Sequence, residues 1–600
     1  MVVVVIGIIL LGLAGGMTGL AVHQTRDRAR YELYKDEFAA AEEGLNKVFG
    51  HVQFLVKMGA PDYLQKILST TPPVVAGYSF PTFQVTPTFS GVETETEGQW
   101  AGMTLNRRRY RADVTALKTT DLARGIEHSG VALRQTLEIT YIPLYNYAIF
   151  YDPIMEIAPG PAMDVIGRVH ANGDMYVQSN SGLTFRKQVT AHGDVYHGRH
   201  PDSGQANSNG AVSFFDGGGQ VSMTGGGTGW DSNSDGWIDS RDTNWGAAAQ
   251  DLWNAYLRDS ADGVQTLAIP IPNVNDPIHP FSPHDIIERA DPAGDTYSLK
   301  QEKFEYKAGL TIIATATGVI PRSAYNGRQV LMGKDAAGNN VPLEYYIDHD
   351  DGDAIKWGLA SAGVNATEKS VVRVSQFQDA REGRRADHNG TQYSIDVDLA
   401  NMVESGIMPS NGILYVSNED TAAGADNGVV RVVNGAQAPV APGATGFTIA
   451  TDDPIYVRGD FNTANQTENG PLCMVAGDAV TILSNAWNDS VGYAVASQTT
   501  VNAVCINGIV ASADGHYSGG VENSFRFLEN WSGRAFNFSG SILVLWESEG
   551  AVGEWWYGSP VYQAPNRNWA WDLRLGGVNG PPGAPRVVEM VRNDWQVAER

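Results

Sequence analysis

Val2 to Val22 contain no charged side chain, and no other stretch limits the fold of this chain as strongly. Coiled as an α-helix at about 1.5 Å per residue, such a run crosses about 30 Å of hydrocarbon. Gly7, Gly12, Gly15, Gly16 and Gly19 punctuate it. Glycines weaken a soluble helix but let helices in a membrane approach closely. A buried soluble helix is seldom apolar on every face. A cleaved secretory signal would carry Lys or Arg before the run and a small-x-small site just after it, and neither is written beside Val2–Val22. The expectation is an anchor that stays on the chain. Arg26, Arg28 and Arg30 follow it, and the positive-inside rule would put that flank in the cytoplasm. This opposes a body displayed outside.

Beyond the run, Tyr31, Tyr34, Phe38, Ala41, Leu45, Val48, Val52 and Leu55 alternate steps of three and four, with Arg, Asp, Glu and Lys between them. That is a heptad seam. It predicts one helix to about residue 57 whose outer half lays a stripe on a partner helix or on its own body. An apolar start running into an amphipathic half resembles the N-terminus of type IV pilins and pseudopilins. Ala40-Ala41-Glu42-Glu43-Gly44 is similar to the AExG segment of PilX-type minor pilins. Two departures stand beside the resemblance. Position 5 is Val5 where pilins carry a glutamate, and no short basic leader ending in Gly precedes the run. The resemblance implies a helix that packs among pilin helices through the 31–55 seam, an inner-membrane anchor, and a body that is periplasmic or on the cell surface.

The body has to hold most of 600 residues, with 67 Gly and a formal net charge of -25. The length exceeds one core, and the glycine content suits short strands joined by turns. So negative a surface repels phosphate backbones, which excludes nucleic acid as a partner, while its carboxylates suit divalent cations. Cys473 and Cys505 lie in apolar strand-like runs and form no CxxC. They read as small buried hydrophobes, with a disulfide left open.

The repeat that defines the body is V-x-A-x-G-D-x-Y. Val169-His170-Ala171-Asn172-Gly173-Asp174-Met175-Tyr176 returns twenty residues later as Val189-Thr190-Ala191-His192-Gly193-Asp194-Val195-Tyr196. One copy cannot bury its apolar face alone, so copies should stack; a pair of hairpins is the plainer alternative. Looser versions follow at 454–462, 471–483, 501–512 and 536–546. The words FQDAREG (377–383), NGILYVS (411–417), DPIYVRGDFNT (453–463) and YSGGVENSFRFLENWSG (517–533) resemble a family of anchored bacterial proteins with PilX-like N-termini. The fold expected is mainly β. A β-solenoid-like body, a right-handed β-helix, follows a long N-terminal transmembrane and amphipathic α-helix. The expected divisions are the helix over 1–57, a linker with edge strands over 58–100, a small β-rich unit over 101–160, and the solenoid over 161–600. The solenoid carries an insertion near 225–250 and an aromatic C-terminal cap.

The sharpest chemical signal is Asp231-Ser-Asn233-Ser-Asp235-Gly236-Trp237-Ile238-Asp239-Ser-Arg-Asp242, which has the spacing of a calcium loop and is similar to dockerin and EF-hand loops. Calcium takes six or more hard oxygens. Asp231, Asn233 and Asp235 would give side-chain oxygens and Trp237 its backbone carbonyl. Asp239 would act directly or through water, and Asp242 would close the shell. The role expected is structural Ca2+; a solvated acidic turn is the plainer alternative. Asp348-His349-Asp350-Asp351-Gly352-Asp353 fits no such spacing and reads as a hydrated turn.

No GxSxG, HExxH or P-loop occurs. Asp379, Glu382 and Asp460 could pair as glycosidase carboxylates, and Arg381 could serve a lyase, though an acidic chain always supplies such candidates. His170, His192, His197 and His200 read as loop histidines. Trp546, Trp555, Trp556, Trp569 and Trp571, with Tyr557, Tyr562 and Arg567, could stack on sugars or, more plainly, cap the last coil. The function expected is a non-enzymatic structural or adhesive component of a type IV pilus or type II secretion-like assembly. The alternative is a membrane-anchored, calcium-dependent surface protein that binds or cleaves polysaccharide.

Overall fold

The computed structural model describes residues 2–57, 63–119, 130–225, 229–269, 282–315, 321–419, 428–464, 466–577 and 579–598. The protein is mainly β with one long N-terminal helix. It divides into two compact units. One comprises Met1–Glu93, Asn106–Tyr141 and Val588–Arg600, the other Thr94–Leu105 and Ile142–Val587. This boundary differs from the sequence-based one at 58–100 and 101–160, because strands on either side of residue 100 and the distant strand Arg586–Val597 share one sheet.

In the first unit, helix α1 (Val2–Lys57) is continuous. The sheet beside it has the order Tyr78–Thr94, Thr104–Lys118, Val131–Pro143, Arg586–Val597. The seam behaves in two ways along α1. Ala41, Leu45, Val48, Val52 and Leu55 are buried against Tyr110, Val114, Leu133, Leu137 and Ile139, each Leu or Val side chain contributing about 1.5–3 kcal/mol where fully covered. Gly44 marks the tightest approach, since a Cβ there would lie 2.6 Å from Val114 Cγ1. Buried Glu37 accepts the Lys118 backbone N–H at 2.9 Å. Tyr31 and Tyr34, on the same seam, stay exposed. The sheet of this unit thus takes up the C-terminal part of the stripe, where the sequence left open a partner helix or the chain's own body.

Among the described residues no helix is long and apolar enough to cross a membrane. The membrane span expected over Val2–Val22 is therefore not shown. The side chains of Val2–Val5, Ile8 and Ile9, among the most apolar of this run, lie outside the described residues.

The second unit is organised by parallel pairing. Val169–Ala171 pairs with Val189–Ala191, Met175–Val177 with Val195–His197, and Leu183–Phe185 with Val212–Phe215. An earlier set, Ile149–Tyr151, Met155–Ile157 and Met163–Val165, lies on their other side. The twenty-residue repeat is thus a rise of one layer. Val169, Ala171, Val189 and Ala191 point inward and are fully buried, as alternation in a strand requires. The Gly-Asp word has a stacking role. Asp174 Oδ1 accepts the Asp194 N–H of the next layer at 2.9 Å, and Ser260 Oγ donates to Asp194 Oδ1 at 2.8 Å. A Cβ on Gly193 would sit 2.3 Å from Asp174 Oδ1, so only glycine lets the turns stack this closely.

The C-terminal half builds similar layers. Ile413–Asn418, Gly446–Ala450, Leu472–Ala476, Thr499–Ile509 and Ala535–Glu547 pair in parallel succession. A second ladder runs Thr391–Asp398, Gly428–Val433, Ile455–Arg458, Val480–Leu483, Phe525–Phe527. The last of the first series, Ala535–Glu547, then pairs with Ile149–Tyr151. The spatial order is therefore permuted relative to the sequence. Among the described residues ten strands follow one another in parallel, from Leu257–Arg258 through the early layers, then Ala535–Glu547, and back down to Leu310–Ala314.

This order corrects the expected C-terminal cap. The aromatic segment lies mid-stack, where Asn566–Trp571 pairs with Ala535–Gly540. The end at Val189–Phe215 is instead covered by residues 220–225 and 229–263. Leu257–Arg258 extends one ladder, the Asp239 and Ser240 side chains and the Ser240 N–H meet the next at Val195 and His197, and Gln220–Ser222 pairs antiparallel on the third. Covering such an edge leaves no unpaired row for another chain to join. Cys473 and Cys505 are free and buried in the core; burial pushes the Cys473 thiol up to about 12, so neither nucleophilic nor redox use fits it.

Candidate functional site

The proposed calcium loop lies within the segment that covers this edge. Ile238 anchors it in the core, and its N–H reaches Met223 O at 2.8 Å. Trp237 stacks on His197 with ring centroids 3.4 Å apart. The exposed turn is organised by its own acidic groups. Asp231 accepts the N–H groups of Asp235 (3.2 Å) and Gly236 (3.0 Å), Asn233 Oδ1 that of Asp235 (2.9 Å), and Asp235 Oδ1 that of Trp237 (2.9 Å). Asp242 is buried and ties the two ends, accepting from Ser232 N (2.7 Å), Ser232 Oγ (3.0 Å) and Asp239 N (3.0 Å). Asp239 turns away from the loop. Fully buried, it accepts His197 N at 2.9 Å and Arg241 Nη1 at 2.6 Å, and burial raises its carboxyl. Sequence spacing alone does not distinguish a loop-facing Asp239 from one that fastens the loop to the neighbouring layer. In the sequence approaching the loop, residues 226–228 lie outside the described residues.

The carboxylates weighed as catalytic are held by other groups. Asp379 accepts from Arg381 N (2.7 Å), Glu382 N (3.0 Å) and Tyr456 Oη (2.6 Å). Glu382 is buried against Arg526, Arg385 and Gly553 N. Burial opposes its charge, and the Arg526 and Arg381 guanidiniums outweigh that and hold its carboxyl below the ordinary range. Arg381 donates to Gly553 O at 2.7 Å. This fully desolvated knot joins the 379–385 segment to the 551–554 loop. Asp348 and Asp351 both pair with Lys356, at 2.8 and 2.9 Å. The four histidines do not gather. His170 is buried between Thr190 Oγ1 and Asn172 Oδ1, His192 binds Val264 O, His197 stacks on Trp237, and His200 packs edge-on to Tyr176.

Most of the aromatic group is structural. Trp546 Nε1 donates to Asp478 O, Trp571 Nε1 to Tyr145 O, and Trp555 Nε1 to Tyr562 Oη; Trp569 packs on the core. Arg567 donates to Glu522 O. Trp556 and Tyr557 remain exposed, with the Arg384 guanidinium over the Trp556 ring.

Among the described residues, two surfaces in particular offer contacts to a partner. The first is the N-terminal part of α1. Ile6, Leu10, Leu11, Leu13, Met17, Leu20 and Val22 are 51–75% exposed, so the described residues of their own unit leave this row of large apolar groups largely uncovered. The second is a polar groove of about 410 Å³ along the turns of the second ladder, lined by Arg373, Asn434, Arg458, Asp460 and Asn485. Its members come from successive layers. Asn434 Nδ2 bonds Asp398 Oδ2 at 2.9 Å, and Asp460 N bonds Asn485 Oδ1 at 3.1 Å. Asp460 Oδ1 also accepts Thr500 N at 2.8 Å. Polar groups repeated at the interstrand spacing of about 4.8 Å present a regular set of donors and acceptors. Sequence reasoning found Asp460 but missed Arg373, Asn434 and Asn485, which are distant in sequence and become neighbours only by stacking.

No family model matches the chain, and no curated protein matches it. Among solved structures, the competence-associated pilin ComZ from Thermus thermophilus matches at 10% identity and a TM-score of 0.29, over 94% of this chain and 97% of that one. At that score the match carries no argument about this chain.

Proposed function

We propose that the protein is a non-enzymatic, minor-pilin-like structural or adhesive component of a type IV pilus or type II secretion-like assembly. The observation that carries this reading is the division of α1. Its C-terminal half is buried on its own sheet, while its N-terminal half offers an uncovered apolar row. A helix so divided suits insertion in a membrane and packing among like helices. The body then belongs in the periplasm or on the cell surface. The stacked parallel layers are read as coils of a β-helix, right-handed by the general rule for parallel crossovers. The 231–242 loop is read as a structural Ca2+ site held by Asp231, Asn233, Asp235, Trp237 O and Asp242, with Asp239 fastening it from behind.

Membrane fractionation after an alkaline wash tests this reading. The native chain is expected in the pellet. Leu10→Lys with Leu13→Lys is expected to release it while leaving the melting temperature of the body unchanged. A native chain found wholly in the soluble fraction would contradict the anchor.

The groove supports a second reading, a membrane-anchored protein that binds polysaccharide through Arg373, Asn434, Arg458 and Asn485. Loss of glycan binding in Asn434→Ala with Asn485→Ala, with assembly intact, would favour it over the first.

A further inference from the structure

The strongest unassigned cluster shares no residue with the calcium loop or with the groove. His284 belongs to the turn Pro283–Ile286, which opens with a capping box. Ser282 Oγ accepts the His284 N–H at 3.2 Å, and the Asp285 carboxylate accepts the Ser282 N–H at 2.6 Å. Glu288, four residues on, falls on the same side of the turn. Its Oε1 lies 2.8 Å from His284 Nδ1. From the opposite wall Glu549 Oε1 comes within 3.9 Å of the same nitrogen. Among the described residues, this is the one trio of His, Cys, Asp or Glu whose ligand atoms all lie within 4.8 Å of one another.

Its surroundings hold it in place. The other ring nitrogen, Nε2, faces Asp478 Oδ1 at 3.4 Å. Asp478 is buried and accepts the N–H groups of Glu549 (2.6 Å), Gly550 (3.1 Å) and Ala551 (2.9 Å), and Ser548 Oγ as well. One carboxylate therefore orients the imidazole and also shapes the loop that carries Glu549. Trp546 closes the side edge-on to the ring at 5.2 Å and donates to Asp478 O. Glu288 and Glu549 keep 39% and 72% of their side chains exposed, so the outward side is open to water.

The geometry points to a site for a borderline divalent transition ion of the zinc class, bound by His284 Nδ1, Glu288 and Glu549 with water in the fourth position and Asp478 as the partner of the second ring nitrogen. One imidazole with two carboxylates suits Zn2+, at about 2.0–2.2 Å to each ligand atom. Calcium and magnesium prefer all-oxygen shells. A carboxylate on the far nitrogen of a metal-bound histidine is the usual way such a ligand is held. Because Pro283–Ile286 and the 548–551 loop lie far apart in sequence, the ion would clamp the segment covering the coils to the coil beneath it.

Zinc titration by calorimetry on the full chain in detergent, stripped with chelator and held in millimolar calcium, tests the site. One zinc per chain is expected. Glu549→Gln removes an exposed carboxylate that folding does not need, and should weaken binding at least tenfold, as should His284→Gln. Asp478→Asn should weaken it about 10–100-fold. Asp231→Ala with Asp235→Ala should leave it unchanged, which separates this ion from the calcium reading. Absence of zinc uptake by the native chain, or equal uptake by the native chain and both ligand variants, would overturn the site and leave His284 as an ion-paired histidine.

Discussion

Gly44 and His170 show how single residues set the limits of this protein. In the AEEG segment Gly44 is where α1 presses on Val114, with Phe80 and Phe83 also within contact of a Cβ placed there. Gly44→Val should destabilise the first unit by about 1–3 kcal/mol through overpacking, measured as a lowered melting transition. An unchanged transition would mean that the helix can lift from its sheet without cost. His170 is buried against Phe150, stacked at 5.5 Å. Burial lowers its pKa from 6.5 to about 4. The unfolded chain therefore takes up the proton first. The stability that this group contributes is full above pH 6.5 and falls as the pH drops towards 4, by about 3 kcal/mol at the end of that window. Melts at pH 7 and pH 5 should show the loss, and His170→Gln should reduce it, leaving the part due to His197, whose pKa burial also lowers to about 4. A buried charge knot sets the third limit. Glu382→Gln leaves the buried Arg526 without its partner charge and should cost about 3–5 kcal/mol, read from denaturant unfolding.

Elements were legible where a period carried them. The three-four alternation from Tyr31 to Leu55 gave α1 and the face it buries, because helix geometry alone dictates that stripe. The twenty-residue return of V-x-A-x-G-D-x-Y gave the rise of one layer, because each layer must put its Val and Ala on the same interior. Layer order was not legible, since any coil with the same inward pattern can stack on any other, and nothing local states that Ala535–Glu547 meets Ile149–Tyr151. Asp239 is ambiguous in the sequence for a related reason. Its spacing fits a calcium ligand, but its partner His197 lies in a neighbouring layer. The His284 cluster was invisible for the same cause. At this scale the calcium loop makes a prediction. Chelator should lower the melting temperature of the native chain, and Asp231→Ala with Asp235→Ala should abolish that sensitivity. Equal melting with and without chelator in the native chain would remove calcium from the account.

At the scale of the molecule, a helix with an uncovered apolar end precedes a large acidic body of stacked β layers. The acidic surface, with a net charge of -25, suits a wet extracytoplasmic setting, while Arg26, Arg28 and Arg30 beside the apolar run argue for the opposite topology. Protease accessibility of a C-terminally tagged chain decides between them. Digestion in intact cells, or in spheroplasts but not intact cells, is the predicted result and places the body outside the inner membrane. Protection in both would put the body in the cytoplasm and contradict the pilin-like reading.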